Sequence, residues 1–160
     1  MPSLADFVDR DVLTRQVTRE TDTAGVDGVC ARADRGLRWA VGALVTDPAD
    51  RLLFVYEDDI WKLPGGGVET GETRQEAVRR EVREETGVRI AVDELAAVTE
   101  VTVTDGDREA TFFFGTYRGT ADSTTLASDP GLDDEGIENA AWKASVPSDC
   151  LDESLVRRLR

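Results

Sequence analysis

Glu81, Glu84 and Glu85 stand at i, i+3 and i+4 within a stretch, Thr73 to Thr86, that contains neither Gly nor Pro. On a helix this spacing gathers three carboxylates on one face, with Val78 and Val82 beside them on the side that can pack inward. Glu84 and Glu85 also fall in the last turn, where the helix dipole is negative and each acid costs about 0.3–1 kcal/mol. A sequence that breaks local rules twice at one spot points to a ligand that resolves the conflict. Clustered oxygen donors near a Gly-rich run suit a hard divalent cation. Mg²⁺ fits best, with Mn²⁺ as a substitute, because it bridges one or two protein carboxylates to substrate phosphates. The plainer reading is a solvated helix surface, since Glu76 with Arg80 and Arg80 with Glu84 are ordinary i, i+4 ion pairs.

Composition narrows the chemistry further. The chain has no histidine, which excludes a Ser-His-Asp triad, a Cys-His pair and an imidazole metal site. Cys30 and Cys150 lie far apart and form no CxxC pair, so two reduced thiols are expected rather than a disulfide or a zinc site. The net charge of -14 argues against nucleic acid as a partner, because phosphate backbones are held by Lys and Arg. A small anion can still bind if a cation stands between it and the protein. Lys62 and Lys143 are the only lysines, and acids are spread along the whole chain. This pattern is expected of a halophilic protein working at high internal salt, where a Debye length of about 3 Å at 1 M screens self-repulsion; acidic solubility alone is the bland alternative. No segment reaches the roughly 18 apolar residues of a membrane span. The opening MPSLADFVDRDVLT lacks a basic start and an apolar run, so no membrane association and a cytoplasmic location are expected.

The elements that must position the glutamates follow from pattern. A length of 160 residues with 40% apolar content suits one domain, 1–160, with a peripheral N-terminal segment at 1–36, a core at 37–145 and a C-terminal helix within 146–160. The N-terminal segment reads as a short strand or helix followed by a loop at Thr21 to Gly28. Leu37 to Thr46 and Leu52 to Tyr56 read as two strands joined into a hairpin through Asp47-Pro48-Ala49-Asp50. Gly65, Gly66 and Gly67 read as a loop whose backbone can approach a ligand because no Cβ intervenes. Thr73 followed by Glu76 has the spacing of a capping box, and Gly87 is placed to end the helix. Val88 to Val92, Ala97 to Thr104, Ala110 to Tyr117 and Ala140 to Ala144 read as strands, with a turn at Asp105-Gly106-Asp107. Gly119 to Gly131 reads as a surface loop, and Leu151, Leu155, Val156 and Leu159 recur at helical spacing. The order is α+β: a mixed sheet with a helix packed on it.

Gly66, five residues, Glu72, seven residues, then Arg80-Glu81-Val82-Arg83-Glu84-Glu85-Thr86-Gly87-Val88 resembles the full signature of the Nudix hydrolases. The likeness is tightest from Gly66 to Val88 and extends more loosely from Leu37 to Lys143. It implies a mixed sheet sandwiched between helices, an α/β/α arrangement with the signature as a loop–helix–loop. It also implies Mg²⁺-dependent hydrolysis of a phosphoanhydride bond in a nucleoside diphosphate linked to another moiety. By that resemblance Glu84 and Glu85 are the principal metal ligands, the Gly65 carbonyl an additional one, and Glu81 a ligand or the base that activates water. Arg80 orients the glutamates, and Glu72 pins the loop to the helix. The family often adds one acid from outside the signature, for which Glu135 is the candidate here. A homodimer is compatible with the resemblance.

Substrate selection falls to residues outside the signature, together with the Gly66 and Gly67 backbone. Trp61 and Tyr56 are candidates to stack on a base and Arg38 or Arg118 to hold a terminal phosphate, against the plainer reading of each as core or surface. The residues do not rank ADP-ribose, a sugar nucleotide, a dinucleoside polyphosphate or an oxidised nucleotide among themselves, whereas the acidity places capped or triphosphorylated RNA last. The main alternative is a non-catalytic, Nudix-like nucleotide-binding sensor, which the intact set of catalytic letters disfavours. An isoprenoid diphosphate isomerase of similar fold would need a catalytic cysteine, and Cys30 and Cys150 lie outside the expected strands.

Overall fold

Strand pairing organises the chain. The computed structural model describes residues 2–8, 10–127 and 137–160, and these contain one mixed sheet of eight strands. In chain order they are β1 (Leu13–Glu20), β2 (Trp39–Thr46), β3 (Leu52–Glu57), β4 (Ile60–Lys62), β5 (Gly65–Gly67), β6 (Ile90–Thr104), β7 (Glu109–Ala121) and β8 (Asn139–Lys143). The spatial order is β1-β6-β7-β2-β3-β4, with β5 attached to β2 and β8 to β3. β1 runs parallel to β6 and β7 parallel to β2, while β6 and β7 are antiparallel. The two segments expected at Val88 to Val92 and Ala97 to Thr104 are thus one long strand, broken only by register shifts near Leu95.

The alternation of β2 assigns the layers, because successive side chains point to opposite faces. Val41, Ala43 and Val45 pack with Ala77, Val78 and Val82 of helix α2 (Arg74–Thr86). Leu44 faces the other way, with Leu155, Val156 and Leu159 of helix α3 (Glu153–Leu159). Each buried Val or Leu on these faces contributes about 1.5–3 kcal/mol relative to exposure. The sheet therefore lies between helices, as expected.

Helix α2 forms where local signals agree. Thr73 Oγ1 accepts from the Glu76 N–H at 3.1 Å and Glu76 Oε1 accepts from the Thr73 N–H at 3.3 Å, closing the capping box. Gly87 stops the helix at φ 78°, a left-handed conformation that glycine adopts without penalty.

Four further expectations need correction. The loop at Thr21 to Gly28 is instead the start of helix α1 (Thr23–Asp34), capped by Asp22, whose Oδ1 accepts from the Gly25 N–H at 2.8 Å. Gly25 and Gly28 weaken helix propensity, but the fully buried Val26 anchors the helix to the sheet. The hairpin of β2 and β3 is paired only at Thr46 and Leu52; beyond that point the strands part, because β5 occupies the edge of β2 while β4 and β8 flank β3. The Gly65–Gly67 loop is a strand, with Gly67, Gly66 and Gly65 opposite Ala40, Val41 and Gly42. The expected surface loop starts later than Gly119, since β7 runs to Ala121.

Candidate active site

Glycines allow β5 and α2 to meet. A Cβ on Gly66 would stand 2.5 Å from the Glu81 carboxylate, and one on Gly65 would stand 2.1 Å from the Val41 carbonyl oxygen. Neither glycine has positive φ, so close approach rather than backbone freedom is what excludes a side chain here. The edge of β5 turned away from β2 is then available to α2. The Gly65 N–H donates to Glu85 Oε1 at 2.7 Å, and the Gly67 carbonyl accepts from Arg80 Nη2 at 3.1 Å. In an antiparallel pair the N–H and C=O of one residue point the same way, so the Gly65 carbonyl shares that edge.

Arg80 is the hub. Its Nε and Nη2 hold Glu72 at 2.7 and 2.9 Å, and its Nη1 donates to Glu81 at 2.8 Å and to Glu84 at 3.3 Å. These hydrogen bonds hold the Glu72 carboxyl below its usual range, against the opposing effect of burial. Its hydrogen bonds to the Glu72 carboxylate, and then to that of Glu81, raise the Arg80 pKa, so the guanidinium stays charged. Glu81 and Glu85 are buried, at 8% and 4% exposure. Three carboxylates thus crowd about one guanidinium, with Glu85 held beside them by the Gly65 N–H, although buried acid ordinarily requires a cation for each charge.

This donor set fits a hard divalent cation, since it offers only oxygen, carries surplus negative charge, and adjoins a backbone carbonyl. Among the described residues no three acidic or sulfur-bearing side chains already converge on one point as a ligand shell. The hydrogen bonds explain the arrangement: Arg80 draws Glu81 and Glu84 to itself, while the Gly65 N–H holds Glu85.

Two cavities line the face of the sheet shared with α1 and α3. One, about 200 Å³, is bounded by Lys62, Gly65, Thr116 and Leu155 among others; the second, about 280 Å³, is bounded by Arg32, Arg38, Phe112 and Gly67. Both touch Arg19, Gly66 and Phe114, so they adjoin along β5. Phe114 lies across Gly42, where a Cβ would meet its ring at 2.7 Å. Arg19 is tied to Asp152 at 2.6 Å, and Asp152 also takes Arg15 at 3.0 Å. The buried Thr116 hydroxyl makes no hydrogen bond, alone among the buried side-chain polar atoms described.

The structure brings together Gly65, Gly66, Gly67, Arg80, Glu81, Glu84 and Glu85. It does not bring Trp61 to them: that ring packs with Tyr56 at 5.0 Å and under Lys143 at 4.0 Å, and it borders neither cavity. Arg118 donates to the Leu159 carbonyl and pairs with Glu94, also away from the cavities. Arg38 does line one cavity. Glu135 lies outside the described residues. Sequence reasoning passed over Arg19, Phe112 and Phe114. The two phenylalanines could have been found from the alternation of β7, whereas Arg19 depends on the pairing of β1 with distant β6. Both cysteines are free thiols, and no helix among the described residues is long and apolar enough to cross a membrane.

Comparison with known proteins agrees with this geometry. Residues 36–145 match the NUDIX domain family. The chain is 46% identical over 61 residues to a MutT-like protein of Streptomyces ambofaciens, covering 37% of this chain and 40% of the relative. It is 48% identical over 56 residues to an Enterobacter nucleoside triphosphatase, NudI, covering 35% of this chain and 38% of the relative. These matches thus span about two fifths of those relatives' lengths. An RNA pyrophosphohydrolase of Zymomonas mobilis is 30% identical over 129 residues, with 72% of this chain and 83% of the relative covered. Among solved structures, a NUDIX hydrolase from Nitrosomonas europaea superposes with a TM-score of 0.55 at 28% identity, covering 67% of this chain and 72% of that one. The glutamate-rich helix, the glycine strand beside it and the matched residues 36–145 together make this chain a member of the Nudix family.

Proposed function

We propose that this chain hydrolyses a phosphoanhydride bond in a nucleoside diphosphate linked to another moiety, with Mg²⁺ as its metal. The observation that carries the reading is the meeting of Glu81, Glu84 and Glu85 with Arg80 at the outer edge of β5. Glu84, Glu85 and the Gly65 carbonyl would hold the ion, with Glu81 as a further ligand or as the base. Bound there, the ion would neutralise charge developing on phosphorus and lower the pKa of a water so that it attacks near neutral pH.

The chain's own residues would do the rest. A carboxylate in reach of the attacking water, Glu81 beside Gly66 or an acid from outside the signature, would accept its proton. Arg80 would hold Glu81 and Glu84 in position while remaining charged. The adjoining cavities would take the nucleoside, with Phe112 and Phe114 as the apolar platform and Arg38 at the rim. Relatives named as a nucleoside triphosphatase and an RNA pyrophosphohydrolase support cleavage of a phosphoanhydride. The charge of -14 favours a small nucleotide over RNA.

The test is to strip the protein with chelator, restore Mg²⁺ or Mn²⁺, and separate the products of a nucleotide panel by chromatography. The panel includes nucleoside diphosphate derivatives, nucleoside triphosphates and a 5′-triphosphorylated RNA. Metal-dependent turnover of a nucleoside diphosphate derivative is expected. Tight binding with no turnover would make the chain a sensor and overturn the reading; preference for RNA would overturn the substrate class.

A further inference from the structure

We propose that the flank of α2 turned toward Arg89 is a second anion site, separate from the glutamate cluster, that takes a small phosphate-bearing ligand. A cavity of about 420 Å³ opens there, lined by Glu76, Arg79, Arg80, Arg83, Arg89 and Asp122 among others. With Arg80 committed to Glu72, Glu81 and Glu84, three further guanidiniums, Arg79, Arg83 and Arg89, face two carboxylates there, in a chain whose net charge is -14.

Among the described residues, Arg79, Arg83 and Arg89 do not serve to satisfy acids of the fold. Most arginines in the ion pairs of this chain, such as Arg15, Arg19, Arg51, Arg108 and Arg157, meet a carboxylate at 3.0 Å or less. The side chains of Arg79, Arg83 and Arg89 have no hydrogen-bond or ion-pair partner among the described residues. Arg79 and Arg83 are also a like-charged i, i+4 pair, which disfavours the helix that carries them. Of the two lining acids, Glu76 is already engaged by the Thr73 N–H, and with Asp122 it leaves the three arginines in excess.

The shape of the site selects the ligand. Guanidinium forks match phosphate oxygens in bidentate fashion. A concave space of this size takes a small molecule, in the usual range of about 300–1,000 Å³ for ligand pockets, rather than a flat protein surface. Arg80 forms the wall between this cavity and Glu81 and Glu84, so the site lies one side chain away from the proposed hydrolytic centre without containing its ligands.

The test uses tripolyphosphate and inorganic phosphate in calorimetric titrations of the whole protein with chelator present, so that no metal recruits the anion to the glutamates. Saturable one-to-one binding of tripolyphosphate is expected. Arg83→Gln and Arg89→Gln should each weaken it about tenfold, as the loss of one charge-assisted contact implies, with unchanged melting temperatures. Glu84→Gln should leave the affinity as it is. No saturable binding, or binding unaffected by both arginine substitutions, overturns the proposal. So does binding that responds to Glu84→Gln instead, which places the anion at the glutamates. Because turnover is assayed separately with metal, failure here leaves the proposed hydrolysis standing.

Discussion

Arg80 grips both oxygens of Glu72, Nε to Oε2 at 2.7 Å and Nη2 to Oε1 at 2.9 Å. Glu72 also accepts from the Glu69 N–H at 3.0 Å, so one carboxylate ties the turn after β5 to the middle of α2. The pair fixes the loop on one side, while the other nitrogen of the guanidinium fixes Glu81 and Glu84. Positioning and charge therefore converge on one residue.

That pair gives stability a pH dependence. The hydrogen bond from Arg80 holds the folded-state pKa of Glu72 below its ordinary value of 4.5. A carboxyl of depressed pKa contributes stability that is fully present above the unfolded pKa and is lost as pH falls through the folded one. Melting temperature should therefore drop below about pH 4.5, and Glu72→Gln should flatten part of that drop. An unaltered acid limb in Glu72→Gln would refute the linkage.

Glu84→Gln and Glu85→Gln keep the shape of the side chain and remove its charge. Each should slow metal-dependent turnover by about 10²–10⁴-fold while circular dichroism stays native. The Gly65 N–H can still donate to an amide oxygen at position 85. Rates near normal in both variants would remove the assigned roles.

Gly66→Ala separates the catalytic from the structural use of β5. The added Cβ would stand 2.5 Å from the Glu81 carboxylate, so Glu81 must move. The backbone there is extended and tolerates alanine. Turnover should fall at least about tenfold, since misplacement by about 1 Å can cost 10²-fold, with a much smaller change in melting temperature. Loss of folding without a specific loss of rate would count against Glu81 as the contact.

Thr116→Val tests the unpartnered hydroxyl on β7. A buried hydroxyl without a partner carries a desolvation penalty of about 1–3 kcal/mol. Replacing it by a methyl should leave the melting temperature unchanged or raise it. A clear fall would mean that the hydroxyl is bonded through water.

How much of this was legible depended on the range of the interactions. Helix α2 follows from contacts within four residues: Thr73 with Glu76 and the stop at Gly87. Its glutamates could be seen for the same reason. Helix α1 was hidden by Gly25 and Gly28, although Asp22 three residues before Gly25 is a cap signal that could have revealed it. Strand β5 could not be read locally, because three glycines have little strand propensity and take their conformation from β2. Trp61, a candidate to stack on a base with core as the plainer reading, lies among Tyr56, Lys143 and the α3-side core, neighbours that no local pattern names. The cleft residues Arg19 and Phe114 meet only through the β1–β6–β7 order, which no local pattern encodes.

The charge pattern yields the last prediction. Acids outnumber bases 33 to 19, and only two of the bases are lysine. Carboxylates such as Glu109 lie on exposed strand ends, where repulsion acts at long range in dilute salt. The Debye length shrinks from about 10 Å at 0.1 M to about 3 Å at 1 M. The same salt should weaken exposed pairs such as Arg108 with Asp27, but these contribute only about 0.2–1 kcal/mol each. Screened repulsion therefore outweighs the lost attraction, and the melting temperature should rise steadily from low to molar KCl. A protein equally stable without salt would reduce its acidity to a matter of solubility.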